Sequence, residues 1–352
     1  MSNWYASLEA VKRAGNIVGD DRDAQVGSTI EAASREFDRS TRRYFIPRTE
    51  TRLYRWTNRS GIGRVLWLDQ GLISITTLQT KAQNSSPTTI AAADFFLEPN
   101  NSGPPYNRIE IDISSTSAFE AGDTPQRSIS VLGSWGYKAD TLSTGTVSSG
   151  LAASSTSTSM VCSNASLIDV GETLLIESEQ IFISDRSFAA LGSVLINDAS
   201  VTKAKDNNTI TLDGSHGVLQ GEVVRLESEQ MLVQRVSGND IIVIRAYNGS
   251  LLAAHANDTA VHINRTLAIE RGINGTTAAT HANATAISKY EPPSDVVRLI
   301  LAQALATYAQ NGAQWSRSVG TGDGAQEFTS KDLASLEKRT VAFYKRSREA
   351  AI

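Results

Sequence analysis

Residues 171–180 read GETLLIESEQ and residues 221–230 read GEVVRLESEQ, a recurrence at an offset of 50. Farther along, RAYNGSLLAAHAN (245–257) is matched by RGINGTTAATHAN (271–283), at an offset of 26. Tandem copies would keep one offset. Two different offsets place one copy (about 209–263) between the halves of another (about 158–185 and 266–288). Each copy holds β-branched runs, an Asn-Gly turn and a closing run, which predicts a sandwich-like or barrel-like β unit, duplicated by nesting.

Working outward, residues 141–158 are almost entirely Ser, Thr, Gly and Ala and read as a flexible linker. Before it, TRLYRWT (51–57), GRVLWLD (63–69), LISITTLQT (72–80), DFFLEP (94–99), RIEIDI (108–113) and SISVLGSWGY (128–137) carry strand composition. Both ends read as helical. A short helix around Leu8 and Val11 ends at Gly15; a longer one, capped by Asp20 or Asp21, carries Val26, Ile30, Ala33, Phe37 and Tyr44 until Pro47 stops it. After Pro293, Val296, Ile300, Leu301, Ala304, Leu305 and Tyr308 line one helix face. A last helix places Leu333, Leu336, Thr340 and Phe343 on its buried stripe.

The resulting expectation is an α+β protein. The N- and C-terminal helices build a helical core with a β-rich middle (1–140 plus 289–352), joined by the linker to an inserted all-β module (159–288). Of its 352 residues, 33 are basic and 37 acidic, net −4, which excludes a strongly basic nucleic-acid coat. The single cysteine, Cys162, excludes an internal disulfide framework. No basic-then-apolar leader opens the sequence and no run of 18 apolar residues occurs, so the reading is a soluble protein made in a reducing compartment. Charge is concentrated twice. Eight arginines lie between Arg39 and Arg64 against one acid, Glu50, and Lys338, Arg339, Lys345, Arg346 and Arg348 precede Glu349. Such runs are ordinarily solvated faces; the sharper reading is docking on an acidic neighbour or on phosphates.

The pattern supplies little for catalysis. Glu177 with Glu179 and Glu227 with Glu229 share a strand face at i and i+2, as a carboxylate pair would, but duplication explains the recurrence. His255 and His281 are repeat equivalents beside Asn-Gly turns, with stabilisation of the turn as the expected role. No zinc spacing is present, GTGDG (320–324) lacks the Lys-Ser/Thr ending of a phosphate loop, and no Gly-x-Ser-x-Gly elbow occurs. The expectation is a protein that is not an enzyme and uses no metal or cofactor.

The ends carry a further pattern. Tyr5-Ala-x-Leu8-x-x-Val11-Lys12, the Asp20–Asp23 cluster, Ile30-x-Ala32-Ala33-Ser34 and Thr41-x-Arg43-x-Phe45 come first. Val65-Leu66-x-Leu68, Ile73 and Ile75, Asp94-Phe-x-Leu97-Glu98-Pro99 and Val131-x-Gly133-x-Trp135-Gly136-Tyr137 follow, then Tyr290-x-Pro292-Pro293-x-Asp295-Val296. In this order they resemble the head–tail connector (adaptor) proteins of tailed bacteriophages over 1–138 and 289–352, with 139–288 as an insertion. The resemblance implies a virion neck protein, assembled in the host cytoplasm, in a homo-oligomeric ring of about twelve copies. Its implied partners are the portal protein and a stopper or tail-completion protein; genomic DNA passes without sequence-specific binding, and no membrane is involved. Carried onto this chain it implies portal docking through Leu336, Phe343, Tyr344, Lys345, Arg346 and Arg348. Because much of 338–352 is polar, its removal is expected to leave the chain folded and to abolish attachment to portal-bearing capsids. Contacts between subunits are expected at Arg39, Arg42, Arg43, Arg48 and Arg52. A competing reading of the Ser/Thr/Asn-rich module is a receptor- or carbohydrate-binding β protein of a tail appendage. A β-rich hydrolase using the Glu pairs comes third.

Overall fold

Ser7 begins the first helix by accepting the Ala10 amide on its hydroxyl (3.2 Å), and Asn16, left-handed at φ 49°, ends it, giving α1, Leu8–Gly15. The computed structural model describes residues 3–57, 63–152, 157–198, 201–312, 318–319, 326–327 and 331–346. The second helix, α2 (Asp23–Thr41), buries Val26, Ile30, Ala33 and Phe37 and stops at left-handed Arg42, short of Pro47. No side chain caps its start, so neither Asp20 nor Asp21 has the expected role.

Six strands follow: β1 (Arg48–Tyr54), β2 (Val65–Thr80), β3 (Thr88–Ile90), β4 (Phe95–Glu98), β5 (Tyr106–Ile111) and β6 (Ile129–Trp135). They form one antiparallel sheet in the order β1-β6-β2-β5-β4, with β3 on β2. Two of the expected strands are one: β2 runs through Gln70-Gly71, and its register slips between Trp67 and Leu72. These bulges let its first half pair with β5 and its second half with β6. Gly71 is required at the bend, because a Cβ there would lie 2.6 Å from the Gly136 carbonyl oxygen. Leu72, Leu78, Ile109, Ile129 and Trp135 fill the enclosed core.

The second sheet has ten strands: β7 (Thr141–Thr146), β8 (Ser159–Val161), β9 (Thr173–Ile176), β10 (Glu179–Leu195), β11 (Thr209–Thr211), β12 (Val223–Leu226), β13 (Glu229–Ser237), β14 (Asp240–Ile244), β15 (Ala260–Glu270) and β16 (Ala286–Tyr290). The Ser/Thr/Gly-rich stretch is therefore not a linker over its first half. Residues 141–146 pair with β16, Val147 is fully buried, and Leu151 bridges to His281. Threonine favours the strand, and Thr144, itself buried, donates its hydroxyl to the Ile287 carbonyl (3.1 Å).

Strand pairs recur with the offsets seen in the sequence. Leu174 faces Lys289 as Val224 faces Ile263, and Ser159 faces Ala268 as Thr209 faces Ile242. The strands β10 and β15 run antiparallel through both copies, pairing Phe182 with Glu270 in the outer copy and Leu195 with Ala260 in the inner one. The inner copy thus occupies the hairpin tip of the outer copy. In the inner copy that same tip is a tight turn at Gly238-Asn239, the kind of exposed site that tolerates insertion. Each copy keeps its own apolar core, around Leu174, Ile181 and Ile287 in the outer and Val224, Met231 and Val261 in the inner.

Two helices close the chain, α3 (Ser294–Gly312) and α4 (Lys331–Tyr344). They pack with α1 and α2 around Val11, Ile30, Phe37, Leu299 and Ile300, so both chain ends share one cluster. The expected helical core is nevertheless overturned. The molecule is mostly β, with two antiparallel sheets of six and ten strands against four α-helices among the described residues, and the helices contribute to one of four apolar clusters. The helical reading gave weight to the ends, whereas most residues buried together come from strands whose runs are short and separated in sequence. The stripe of α4 is also corrected: Tyr344 is buried and Phe343 is 75% exposed. Leu333, Leu336, Thr340 and Tyr344 follow spacings of three, four and four, the true helical drift.

Candidate functional site

The repeated acidic pairs form two equivalent clusters. Ile176 pairs with Glu179, so Glu177-Ser178 is a two-residue hairpin loop, with Glu177 left-handed at φ 54°. The same loop recurs at Glu227-Ser228. The two glutamates of each pair therefore do not share a strand face. Glu177 and Glu227 sit outside on the turn, while Glu179 and Glu229 are fully buried.

In the inner copy, Arg245 donates through Nε (2.7 Å) and Nη2 (2.8 Å) to the two carboxylate oxygens of Glu229. The amides of Ala246 and Ala253 (2.9 Å each) and His255 Nε2 (3.0 Å) contact the same carboxylate. His255 Nδ1 reaches the outer Glu227 at 2.9 Å. In the outer copy Arg271, Gly272, Ala279 and His281 surround Glu179 in the same way, and His281 Nδ1 meets Glu177 at 2.7 Å. Each imidazole is thus bracketed by two carboxylates, one buried and one exposed.

Burial pushes the Glu229 carboxyl up, but Arg245, the two amides and His255 pull it down further, to about 2; Glu179 is lowered by the same balance. Each cluster ties the loop after β14 or β15 to the hairpin carrying its glutamate. The carboxylates of Glu179 and Glu229 are enclosed by these partners, whereas those of Glu177 and Glu227 stay largely exposed on the turn; the arrangement is that of a clasp.

The other candidates for chemistry are similarly enclosed. Burial pushes the Cys162 thiol up to about 11. His216 accepts the Val218 amide on Nδ1 and lies 3.1 Å from the Gly238 carbonyl through Nε2. Among the described residues no group of three or more His, Cys, Asp or Glu side chains is placed to hold a metal, and no helix is long and apolar enough to cross a membrane. The GTGDG loop lies outside the described residues.

A seam between the helices and the outer copy was not legible beforehand. Asn3 donates to Asn274 (2.7 Å), Asn274 to Gln180 (2.8 Å) and Gln180 to the Pro47 carbonyl (3.0 Å). Trp4 packs edge-on against Phe182 at 5.6 Å and lies over Gly171, where a Cβ would come within 2.1 Å of its ring. Beside it, Arg186 pairs with Glu9 (2.9 Å) and Asp169 (3.4 Å). Burial pushes Glu9 up to about 7 against the pull of Arg186, and Asp38 up to about 6 against Arg35.

These opposite shifts predict a stability maximum. Carboxyls raised by folding favour the folded state as pH falls through their folded values, so melting temperature is expected to rise from about pH 8 to about pH 5. Glu179 and Glu229, held low, contribute fully above the ordinary carboxylate range, and that contribution is lost as pH falls towards about 2. A melting temperature that drops steadily from about pH 8 to about pH 5 would contradict the assignment.

The candidate interface residues separate into two groups. Arg39 and Arg42 are exposed. Arg43 donates to the Tyr344 carbonyl (2.8 Å), Arg48 stacks on Tyr44 at 3.8 Å, and Arg52 binds Glu50 and Asp69. Those three arginines make contacts within the chain's own fold. At the C-terminus Leu336 is half-buried, Phe343 and Lys345 are exposed, and Arg346 donates to the Leu68 carbonyl (2.5 Å). Tyr344 is a core residue, packed on Phe45 and Tyr137 with its hydroxyl on Asp295 (2.8 Å), so removing the tail from 338 would take a buried side chain out of the helical cluster. Arg59 and Arg348 lie outside the described residues. Comparison with protein-family models, curated proteins and solved structures gave no match to this chain.

Proposed function

We propose that this chain is a structural protein of a tailed-phage neck, a head–tail adaptor that assembles as a ring. In this reading it binds the portal on one side and a stopper or tail-completion protein on the other, and it lengthens the passage for DNA. The ordered motifs at the two chain ends support the reading, and so does the sharing of one apolar cluster by those ends.

The observation that carries it is the end of α4. Phe343 is 75% exposed, next to exposed Lys345, while its neighbour Tyr344 fixes the helix by burial. A rigidly held, solvent-exposed aromatic beside a cation is the composition of an interface anchor. The nested β module then forms an accessory region that decorates the neck, braces neighbouring subunits or meets tail components.

The test mixes the full chain with portal-bearing capsids. Co-sedimentation, with a ring of about twelve copies at the portal exit in micrographs, is expected. Phe343→Ala should remove attachment without changing the melting temperature. A chain that stays monomeric, ignores such capsids and binds glycans would replace this reading with that of a tail-appendage binding protein.

A further inference from the structure

The two copies of the β module present corresponding faces, and the chain covers them unequally. In the outer copy Phe182 pairs with Thr173 on β9 and with Glu270 on β15, a stripe of three side chains across three strands. Asn3 and Trp4 lie on it. Trp4 packs on Phe182 at 5.6 Å, the Thr173 hydroxyl donates to Asn3 Oδ1 (3.4 Å), and Phe182 is only 3% exposed. In the inner copy Leu232 pairs with Val223 on β12 and with Ile244 on β14 in the same register. There Leu232 is half-buried and Ile244 is 38% exposed. We infer that this inner-copy face is a docking site for a segment of another protein that carries an apolar anchor beside an amide side chain. The inference does not depend on the neck reading.

Three features of the face support it. First, composition runs opposite to coverage. The covered outer stripe holds a carboxylate and a hydroxyl, whereas the more open inner stripe is wholly aliphatic. In the loops flanking these strands, exposed Leu219 and Leu251 stand where the outer copy has Asp169 and Thr277. A face that meets only water favours the reverse exchange; apolar side chains gathered on an exposed face mark a surface that a partner covers.

Second, the polar half of the outer seam is retained with its outward groups open. In the outer copy Asn274 donates to Gln180, the Asn274 Oδ1 accepts the Asn3 amide (2.7 Å), and Gln180 Nε2 donates to the Pro47 carbonyl (3.0 Å). In the inner copy Asn248 donates to Gln230 Oε1 in the same way (3.0 Å). The Asn248 Oδ1 and the Gln230 Nε2 have no partner among the described residues, and both side chains are half-buried. They offer one acceptor and one donor, which a carboxamide and a main-chain carbonyl satisfy together.

Third, the surrounding chain borders the face without closing it. Ser166 stands over Gly221, where a Cβ would lie 3.0 Å from its own, and Val18 meets Gly249 at the same distance. Trp4 and Thr49 hold the corresponding places at Gly171 and Gly275. A serine thus replaces the tryptophan that spans from the glycine to the middle of the stripe. Leu232 is also shorter than Phe182, which leaves room for an incoming apolar side chain.

The probe is the labelled peptide Asn-Trp-Tyr-Ala-Ser-Leu-Glu, residues 3–9 of this sequence, which supplies the side chains seated on the outer face. It is titrated against the full chain and followed by fluorescence anisotropy. The outer face is held by its own attached segment, whose effective concentration excludes the free peptide, so binding reports the inner face. Saturable binding is expected. Leu232→Asn should weaken it at least about tenfold, whereas Phe96→Asn, on the six-stranded sheet, should match the parent. Should Leu232→Asn not fold, Ile244→Asn, at the more exposed position, decides the matter with the same expected loss. Replacing the tryptophan of the peptide by alanine should also cost at least about tenfold. No saturable binding, or equal affinity in the parent and both variants, overturns the inference. Concentration-dependent dimerisation that Leu232→Asn abolishes, without peptide binding, assigns the face to a second copy and overturns the proposed occupant.

Discussion

Replacing Glu229 with alanine is expected to unfold the inner copy while the six-stranded sheet and the helices stay folded. The substitution leaves Arg245 and His255, both fully buried at their side chains, without the carboxylate that each of them contacts. Breaking a buried, hydrogen-bonded ion pair from one side costs about 3–5 kcal/mol. Whole domains are stable by about 5–15 kcal/mol, so the loss is a large fraction of what a unit this small can hold. The amides of the Ala246–Ala253 loop lose their acceptor in the same step. Hydrogen exchange should show protection vanishing across β11–β14 and persisting in β1–β6. Glu179→Ala should do more damage, because the outer copy carries both the inner copy and the seam with Asn3, Trp4 and Glu9. Equal loss of protection in every part of the molecule after Glu229→Ala would mean that the copies do not melt as separate units.

Tyr344→Ala should destabilise the helical region by about 3–5 kcal/mol, the usual cost of emptying a buried aromatic site. Tyr344 meets Phe45 at 5.2 Å, Tyr137 at 5.1 Å and Phe37 at 6.3 Å, three rings supplied by segments far from it in the chain. Its loss frees α4 from α2 and leaves the Asp295 Oδ1 with only the Val296 amide. Tyr344→Phe keeps the packing and removes one hydrogen bond, so about 1 kcal/mol is expected. Phe343→Ala, one residue earlier, should change stability by less than about 0.5 kcal/mol. Urea melts of the three variants check the order. A Phe343→Ala loss as large as that of Tyr344→Ala would mean that the helix presents a different face.

The same neighbouring pair shows where pattern reading fails. Leu333, Leu336 and Thr340 set a helical stripe that continues to either 343 or 344, and both positions are aromatic. The choice rests on the hole between Phe37, Phe45 and Tyr137, which exists only after the chain ends have met. The Glu-x-Glu pairs fail differently. Alternation places i and i+2 on one face only within a strand, and here Glu177 and Glu227 stand in the loop before it. The strand at 141–146 is not legible in the sequence because small polar residues carry no apolar period; its partners on β16 define it.

What the amino-acid order alone determined is local and repetitive. The two offsets, 50 and 26, and the stripe of α2 follow from chemistry within a few turns or strands, and self-similarity survives however the copies are arranged. Tertiary structure decided whatever joins distant segments: the burial of Glu179 and Glu229, the balance of helix against sheet, and the meeting of Arg43 with Tyr344. The physical reason is that burial and electric field are sums over neighbours in space, and here those neighbours lie up to about 300 positions away along the chain.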